Sequence, residues 1–333
     1  VGMLFWQQSL GEDVDVLLSP WPVHKHGHGI VDVTHSVPEG LYADLCRAIG
    51  DRFHLRHYWG PLTNLAGSRW IAQATCEVMR ADAPPDILFS YLPHLDYDLQ
   101  RYPPDHRRNA QALDDTLALA ADVVDTAREQ GYDVVVYGDY AIGAVSHVCY
   151  PNRILREHDL LSVRRVDRQE HVNLHQSRAF AVVDHEVAHV YLRDAADEDA
   201  VAAVFAGHEA ELEVVRRQDR KRIGIDHAEA GDLILCGRSG TWLAYPWWEH
   251  AAAAPGYAEH VDIHNKPGYD PCELLSGWLP FNIRLAPDAI QGSHGTVSPQ
   301  RRIAWATTLP LKKQPDNLLE LAVALKRQFD RLD

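Results

Sequence analysis

The chain lacks the features of a disulfide-bonded or membrane-spanning protein. No apolar run approaches the ~18 residues that a transmembrane helix needs, and no signal peptide is visible. The cysteines are odd in number and form no C-x-x-C pair: Cys46, Cys76, Cys149, Cys236 and Cys272. This pattern indicates reduced thiols rather than a disulfide framework. We therefore expect a cytoplasmic protein that has no membrane partner.

Positive charge is also scarce, with 32 Lys and Arg against 47 Asp and Glu, a net charge of −15. Such a chain is poorly suited to the phosphate backbone, so we expect no nucleic-acid partner. A small anionic substrate stays possible, because a bound metal can reverse the local field. Hydrophobic residues make up 46% of the 333 positions and charged residues 24%, the balance of an ordinary globular protein.

Several catalytic signatures are missing as well: a Gly-rich phosphate loop, G-x-S-x-G and a Cys/His nucleophile pattern. The chain opens on Val1 instead of Met and runs directly into "VGMLFW". We therefore expect that it starts inside a domain or that upstream residues are missing, which leaves a lost targeting segment open.

Strand and helix patterns alternate in the first half. The pattern predicts a helix that starts near Ser68 and a buried strand in "PDILFSYL" (Pro85–Leu92). A long helix follows, capped by Asp105, and its predicted apolar face comprises Leu113, Leu117, Ala120, Ala121, Val124 and Ala127. "YDVVVYGDYAIG" then supplies another strand. This order predicts a parallel strand pair with a helical crossover, in an α/β fold with a mostly parallel, doubly wound sheet flanked by helices.

The second half is less regular. "SRAFAVVDHEVAHVYL" (Ser177–Leu192) has strand character, a polar helix is predicted over Glu198–Phe205, and "EAGDLILCG" is another strand. We expect a single α/β domain over residues 1–333, with a small β-containing cap or insert at about 160–235. His185 and His189 would share one face of a strand, and we favour a structural role for them because H-E-x-x-H is absent.

Two aspartates are the best candidates for chemistry. Asp96 and Asp139 each follow an apolar strand, and open α/β sheets bind ligands beyond the carboxyl ends of their strands. Carboxylate oxygens are also the ligands that hard cations prefer. The alternative, a turn-forming or helix-capping Asp, has about equal weight for either residue alone.

Histidine-rich loops give further candidates. His294 lies in "GSHG", where the glycines allow close backbone approach, although an exposed loop histidine is the alternative. "DIHNKPGYDP" carries His264 and Lys266 in a structured turn, which is equally typical of a helix cap. In "VHKHGHG" three histidines would share one face of an extended segment, and we favour a pocket or surface role over a metal carrier for His24, His26 and His28.

Three of these stretches, in this order, resemble the alkaline phosphatase superfamily, in particular the nucleotide pyrophosphatase/phosphodiesterase branch and its uncharacterised bacterial members. The first is "YLPHLDYDLQRYPP", where Asp96 matches a strand-end Asp that the branch follows with His and Tyr-Gly-Pro. The second is "YGDYAIG", where Asp139 matches the Asp of Ser-Asp-His-Gly. The third is "GSHG", where His294 matches a late Gly-x-His-Gly.

The resemblance implies a metal-dependent hydrolase of phosphoric diesters or nucleotide pyrophosphates, acting on a small phosphorylated substrate. One divalent metal, zinc or alternatively manganese, would take Asp96, His294 and residue 100. A second would take Asp139, residue 140 and an upstream Asp. A Thr or Ser nucleophile is expected upstream of Val1, so that part of the fold would be absent here. Paired cations in such sites neutralise the charge that develops during phosphoryl transfer.

The sequence departs from this pattern at two positions. Gln100 and Tyr140 stand where the family has histidine, and both are weak metal ligands. His94 or His264 would compensate, or only one metal or none would bind, and Lys266 is a further candidate for substrate contact. The alternative function is therefore a family member with an altered or lost metal site, acting as a binding or biosynthetic protein on an anionic metabolite.

Overall fold

The computed structural model describes residues 1–25, 30–258, 274–276, 283–296, 298 and 300–329. The helices are α1 (Leu41–Ile49), α2 (Leu55–Tyr58), α3 (Leu65–Met79), α4 (His94–Arg101), α5 (Arg107–Glu129), α6 (Pro151–Glu157), α7 (Glu198–Phe205) and α8 (Leu318–Phe329). Among these described residues, no helix combines the length and hydrophobicity that crossing a bilayer requires. Four cysteines are free thiols: Cys46, Cys76, Cys149 and Cys236.

The strands are short and belong to several sheets. They are β1 (Gly2–Leu4), β2 (Val16–Pro20), β3 (Val23–His24), β4 (Ile30–Val31), β5 (Thr34–Val37), β6 (Leu88–Ser90), β7 (Val135–Tyr137), β8 (Gly143–Ala144), β9 (His147–Cys149), β10 (Val163–Val166), β11 (Gln169–Val172), β12 (Ala179–Asp184), β13 (Val187–Leu192), β14 (Leu212–Arg216), β15 (Leu233–Gly237), β16 (Thr241–Leu243), β17 (Leu274–Ser276), β18 (Ile283–Leu285), β19 (Gly292–Ser293) and β20 (Trp305–Thr307).

The first half is built on a mostly parallel sheet with the strand order β5-β2-β1-β6. β1 runs parallel to both β2 and β6, and β5 adds an antiparallel edge. Helices α1 and α3 cover this sheet through a core of large apolar and aromatic side chains: Leu4, Phe5, Leu18, Phe53, Trp70 and Ile71. The predicted α/β class with a mostly parallel sheet is confirmed for this half.

The predicted strand pairing was wrong in one respect. β6 lies beside β1, whereas β7 pairs antiparallel with β20 from the end of the chain. A residue pattern identifies a strand but contains no information on which distant segment completes its hydrogen bonds. β6 and β7 therefore do not form the expected parallel pair, although the long helix α5 does connect them.

Two helix details also differ from the expectations. α3 begins at Leu65, and the side chain of Asn64, not Ser68, accepts the capping hydrogen bond from the N–H of Ala66 at 2.9 Å. On α5, Leu113 and Leu117 are 45% and 57% exposed. Ala127 of the predicted face is buried, together with four residues outside that prediction: Asn109, Ala112, Leu119 and Thr126.

The second half contains an antiparallel sheet with the order β12-β13-β15-β14. Its core is rich in aromatic and branched side chains, including Leu155, Phe205, Leu233, Tyr245, Trp247 and Trp248. The predicted helix over Glu198–Phe205 is confirmed as α7. Most of this sheet falls within the expected insert at about 160–235, whose status as a cap on a single domain stays a prediction.

Candidate functional site

The acidic side of the site lies on helix α4. Asp96 was expected at a strand end, but β6 ends at Ser90 and Asp96 occupies the first turn of the helix. Gln100 follows one turn later on the same face, as the helical repeat dictates. Its Nε2 donates to both carboxylate oxygens of Asp96, at 2.9 and 2.8 Å. The residue that replaces the expected histidine thus holds the carboxylate in place.

The loop after β7 brings a second carboxylate and a phenol to the same place. Tyr140 Oη donates to Asp96 Oδ1 at 2.9 Å and lies 3.3 Å from Tyr91 Oη. Burial, followed by the negative charge of Asp96, raises the pKa of Tyr140 far above its usual range, so the phenol keeps its proton. Burial also raises the pKa of Asp139, and the charge of Asp96 adds to that rise. The two predicted aspartates are therefore electrostatic neighbours.

His294 joins this cluster through its ring. The imidazole stacks on the ring of Tyr140 with a centroid distance of 3.7 Å and an angle of 17°. On its other side it stacks on His185, at 3.9 Å and 27°. Burial lowers the pKa of His294 to about 3, and the neighbouring His185 lowers it further. The ring is therefore neutral at neutral pH, the state in which imidazole binds metals or accepts protons.

His185 is the site residue that sequence reasoning missed. The stretch Ser177–Leu192 is a hairpin, in which Asp184 pairs with Val187 and His185 occupies the turn at a φ of 55°. A single strand was expected there, so that interpretation was wrong. The polar run "DHE" between strand-like segments was the signal that could have indicated a turn.

The ring of His185 connects the turn to helix α4. Its Nδ1 lies 2.6 Å from Asp184 Oδ1, and its Nε2 lies 3.4 Å from Gln100 Nε2. The hydrogen bond to His185 is the main cause that lowers the pKa of Asp184. By contrast, His189 lies on β13 and accepts a hydrogen bond from the N–H of Gly231 at 3.1 Å, which agrees with the structural role favoured for it.

Other candidates lie away from this cluster. His94 is buried beside Ser68 Oγ, which accepts its backbone N–H at 3.1 Å, and its ring is near the charges of Asp98, Asp115 and Arg69. It therefore faces helices α3 and α5. The candidates His264 and Lys266 fall outside the described residues, as do His26 and His28. Nothing is described of the His24 side chain.

The comparison with protein families decides the affiliation of the chain. A profile of the family described as type I phosphodiesterase / nucleotide pyrophosphatase matches residues 1–270. The chain belongs to this phosphodiesterase family. The match includes the Asp96 and Asp139 motifs and ends before His294, so the ring stack is an observation of the structure alone.

One solved structure supports the fold of this family member, and a second is reported beside it. The phosphonoacetate hydrolase of Sinorhizobium meliloti, crystallised with phosphonoformate, has a TM-score of 0.51 at 16% identity, and the match covers 81% of this chain and 55% of that chain. The chain thus spans little more than half of that hydrolase. Murine ectonucleotide pyrophosphatase / phosphodiesterase 5 has a TM-score of 0.42 at 12% identity, over 70% of this chain and 52% of that one. No curated protein matches the chain.

The donor atoms of the site differ from a ready-made metal centre. In the parts of the chain that the structure describes, no three His, Cys, Asp or Glu side chains are grouped so that they could hold a metal ion. Asp96 instead accepts hydrogen bonds from Gln100 and Tyr140. What this phosphodiesterase family member presents is a pair of neighbouring carboxylates beside two stacked imidazoles, and the roles of Asp96, Asp139 and His294 as ligands stay predictions.

Proposed function

We propose that the chain takes part in the metal-dependent hydrolysis of phosphoric diesters or nucleotide pyrophosphates. The observation that carries this proposal is the meeting of Asp96, Asp139 and His294, which come from three separate motifs and lie around one Tyr140 side chain. Family membership supports phosphoryl transfer as the chemistry. The proposal assigns no nucleophile to the described residues.

The negative charge of the site favours the binding of a cation over the direct binding of an anion. Burial raises the pKa of Asp139, and repulsion from the charge of Asp96 adds to that rise. A phosphate ester brought to these carboxylates would meet further repulsion, whereas a divalent cation would relieve both effects. Carboxylate oxygens and a neutral imidazole are the donor types that such a cation takes. The types of donor atom therefore suit zinc or manganese, although Asp96, Asp139 and His294 are not grouped in the structure so that the three could hold one ion together.

In such a site the chain's own residues would hold the cation and orient the groups that bind it. Asp96, Asp139 and His294 would supply ligand atoms, and the bound cation would supply charge neutralisation for the transferring phosphoryl group. Gln100 would fix the plane of the Asp96 carboxylate, and the protonated Tyr140 would reduce its negative charge. Because both also compete for the Asp96 oxygens, we expect the cation to be held more weakly than by histidines at positions 100 and 140.

The test combines turnover and metal content. Purified protein would be treated with a chelator and assayed with a chromogenic phosphodiester, alone and with added zinc or manganese, while bound metal is measured by elemental analysis. The proposal expects turnover that appears with metal and disappears with chelator. Absence of both turnover and bound metal would reject it.

A second function, binding of an anionic phosphorylated metabolite without hydrolysis, rests on one specific observation. Both oxygens of Asp96 already accept hydrogen bonds from within the protein, so the carboxylate is satisfied without a metal. Calorimetric titration of the chelator-treated protein with AMP and with pyrophosphate tests this function. Binding without metal or turnover would support it, and metal-dependent hydrolysis with stoichiometric zinc would reject it.

A further inference from the structure

A buried ion pair involves the residue next to one of the stacked rings. Glu186 follows His185 in the hairpin turn, and its side chain is 1% exposed, against 16% for Arg301. Arg301 Nη2 lies 2.7 Å from Glu186 Oε1. The second carboxylate oxygen, Oε2, accepts the backbone N–H of Thr296 at 3.0 Å. Since removal of one partner would leave a buried charge uncompensated, this pair is held firmly.

The other terminal nitrogen of Arg301 reaches two further segments. Nη1 donates to the carbonyl oxygen of Ser293 at 2.9 Å and to that of Ala141 at 3.2 Å. A single guanidinium therefore joins the loop after β7, the "GSHG" segment and the β12–β13 turn. Its planar fork can span three acceptors, which the point charge of a lysine ammonium cannot do with the same geometry.

These acceptors share a position relative to the ring stack. Each stacked ring belongs to a residue whose direct chain neighbour is bound by Arg301: Tyr140 next to Ala141, His294 next to Ser293, and His185 next to Glu186. Two of the three segments are also joined directly, because the N–H of Glu186 donates to the carbonyl of His294 at 2.9 Å. The segments that carry the rings are thus tied together one residue away from each ring, two of them at a backbone carbonyl and the third at the Glu186 carboxylate.

We propose that Arg301, held by Glu186, is a positioning residue that sets the mutual placement of the rings of Tyr140, His294 and His185. Arg301 acts through their backbones and is not itself assigned to the reaction. The effect on turnover rests on the proposed hydrolase function, whereas the effect on the rings does not.

The test uses Arg301→Gln, with Arg301→Lys as a milder variant that retains the charge. Arg156→Gln is the matched control, because Arg156 forms a comparable ion pair with Glu170, with side chains 23% and 9% exposed. Each full-length protein would react with diethyl pyrocarbonate, and mass spectrometry would give the modification rate of His294 relative to His147, whose side chain is 53% exposed. Thermal unfolding would be recorded for all of them.

We expect the relative rate at His294 to rise about tenfold in Arg301→Gln, the factor for one lost charge-assisted hydrogen bond. It should rise less in Arg301→Lys and stay unchanged in Arg156→Gln despite a similar loss of thermal stability. Equal rates at His294 in the Gln variants of Arg301 and Arg156 would overturn the proposal. If Arg301→Gln does not fold, an unchanged rate in Arg301→Lys overturns it instead.

A kinetic measurement separates this inference from the proposed function. If wild type hydrolyses a phosphodiester, Arg301→Gln should lower kcat about 10²-fold, because small misplacements of catalytic groups cost that much, with KM changed by less than about threefold. A change confined to KM would contradict the positioning role. If wild type shows no turnover, the proposed function fails while the His294 modification rates still decide on Arg301.

Discussion

The carboxylate side of the site (Asp96 and Gln100) and its imidazole side (His185 and His294) are held in place in different ways. Asp96 and Gln100 lie one turn apart on α4, so their spacing is set by the local geometry of one helix. His185 and His294 come from a hairpin turn and a distant loop, and Arg301 ties the two together. Local geometry tolerates many changes elsewhere in the chain, whereas a long-range ion pair depends on every segment that it joins.

The two sides also meet at a close contact between their backbones. A side chain added at Gly292 would overlap the carbonyl oxygen of Leu99 in α4, and the N–H of Gln291 donates to the carbonyl of Gln100 at 2.9 Å. Helix α4 therefore packs directly on the strand that leads to His294. Substitutions on either side of this contact can show whether the geometry of α4 and the contacts of Arg301 act independently.

The largest effect is expected from Asp96→Asn. The change removes the charge that would hold the cation and leaves the shape of the side chain, so turnover of a phosphodiester should fall about 10²- to 10³-fold. Steady-state kinetics with added zinc would measure this fall. Asp122→Asn, on the exposed side of α5, should retain wild-type turnover. Equal activity in the two variants would remove Asp96 from the site.

Gly292→Ala should weaken the contact between the two sides. Because the added Cβ would overlap a backbone carbonyl and not a flexible side chain, we expect the free energy of unfolding to fall by about 1–3 kcal/mol. Chemical denaturation provides the measurement. Gly207→Ala is the control, since a Cβ there meets open space and should change stability by less than about 0.5 kcal/mol. Similar losses of unfolding free energy in both variants would argue against a close contact between Gly292 and α4.

Gln100→His changes the carboxylate side at the residue that also lies next to His185. An imidazole at this position would add a ligand beside Asp96, and we expect zinc affinity to rise about tenfold, the lower end of what supporting contacts contribute. Competition with a chromogenic chelator would report the affinity. Gln130→His, at the exposed end of α5, should leave it unchanged. If Gln100→His binds zinc no better than wild type, the site does not hold the metal through Asp96.

The remaining effects concern pH, measured on metal-free protein. The pKa of His294 is lowered to about 3 from the ordinary 6.5, so the unfolded chain takes up a proton before the folded one does. Its contribution to stability is present above pH 6.5 and is lost as the pH falls toward 3. Between about pH 7 and about pH 4, the free energy of unfolding should therefore change less for His294→Phe than for wild type. Chemical denaturation at several pH values provides the measurement.

Asp139 should act in the opposite direction. Its pKa is raised in the folded protein, so its contribution is complete below the ordinary pKa of 3.8 and is lost as the pH rises through the folded value. Asp139→Asn should therefore be slightly more stable than wild type at neutral pH, and this advantage should vanish in acid. Lower stability of Asp139→Asn at neutral pH would contradict the raised pKa of Asp139, which burial causes first and the charge of Asp96 second.

The sequence predicted the carboxylates of the site better than the contacts that hold the site together. Asp96 and Asp139 were identified from the apolar strands that precede them, although the parallel pairing expected of those strands, β6 and β7, does not occur. The bounds of α7 were also predicted, since its composition favours a helix throughout. The placement of Asp96 within α4 was missed, because the same residues are compatible with a strand end and with a helix start.

The imidazole side could be predicted only in part. His294 was identified from its glycines, but His185 was assigned to a strand interior because β-branched residues surround it on both sides. Arg301 has no local signal at all, because its carboxylate partner Glu186 is distant in the sequence and its other two acceptors are backbone carbonyl groups, which every residue possesses. Contacts of this kind depend on the three-dimensional path of the chain.

The β12–β13 turn also limits how the length of the chain can change. Only His185 and Glu186 lie between the paired residues Asp184 and Val187, and the two point to different partners, one to the ring of His294 and the other to Arg301. A sheet can usually absorb an inserted residue as a bulge. Here an inserted residue would change the two-residue turn that directs the imidazole to His294 and the carboxylate to Arg301, so the number of residues in this turn matters as well as their identity.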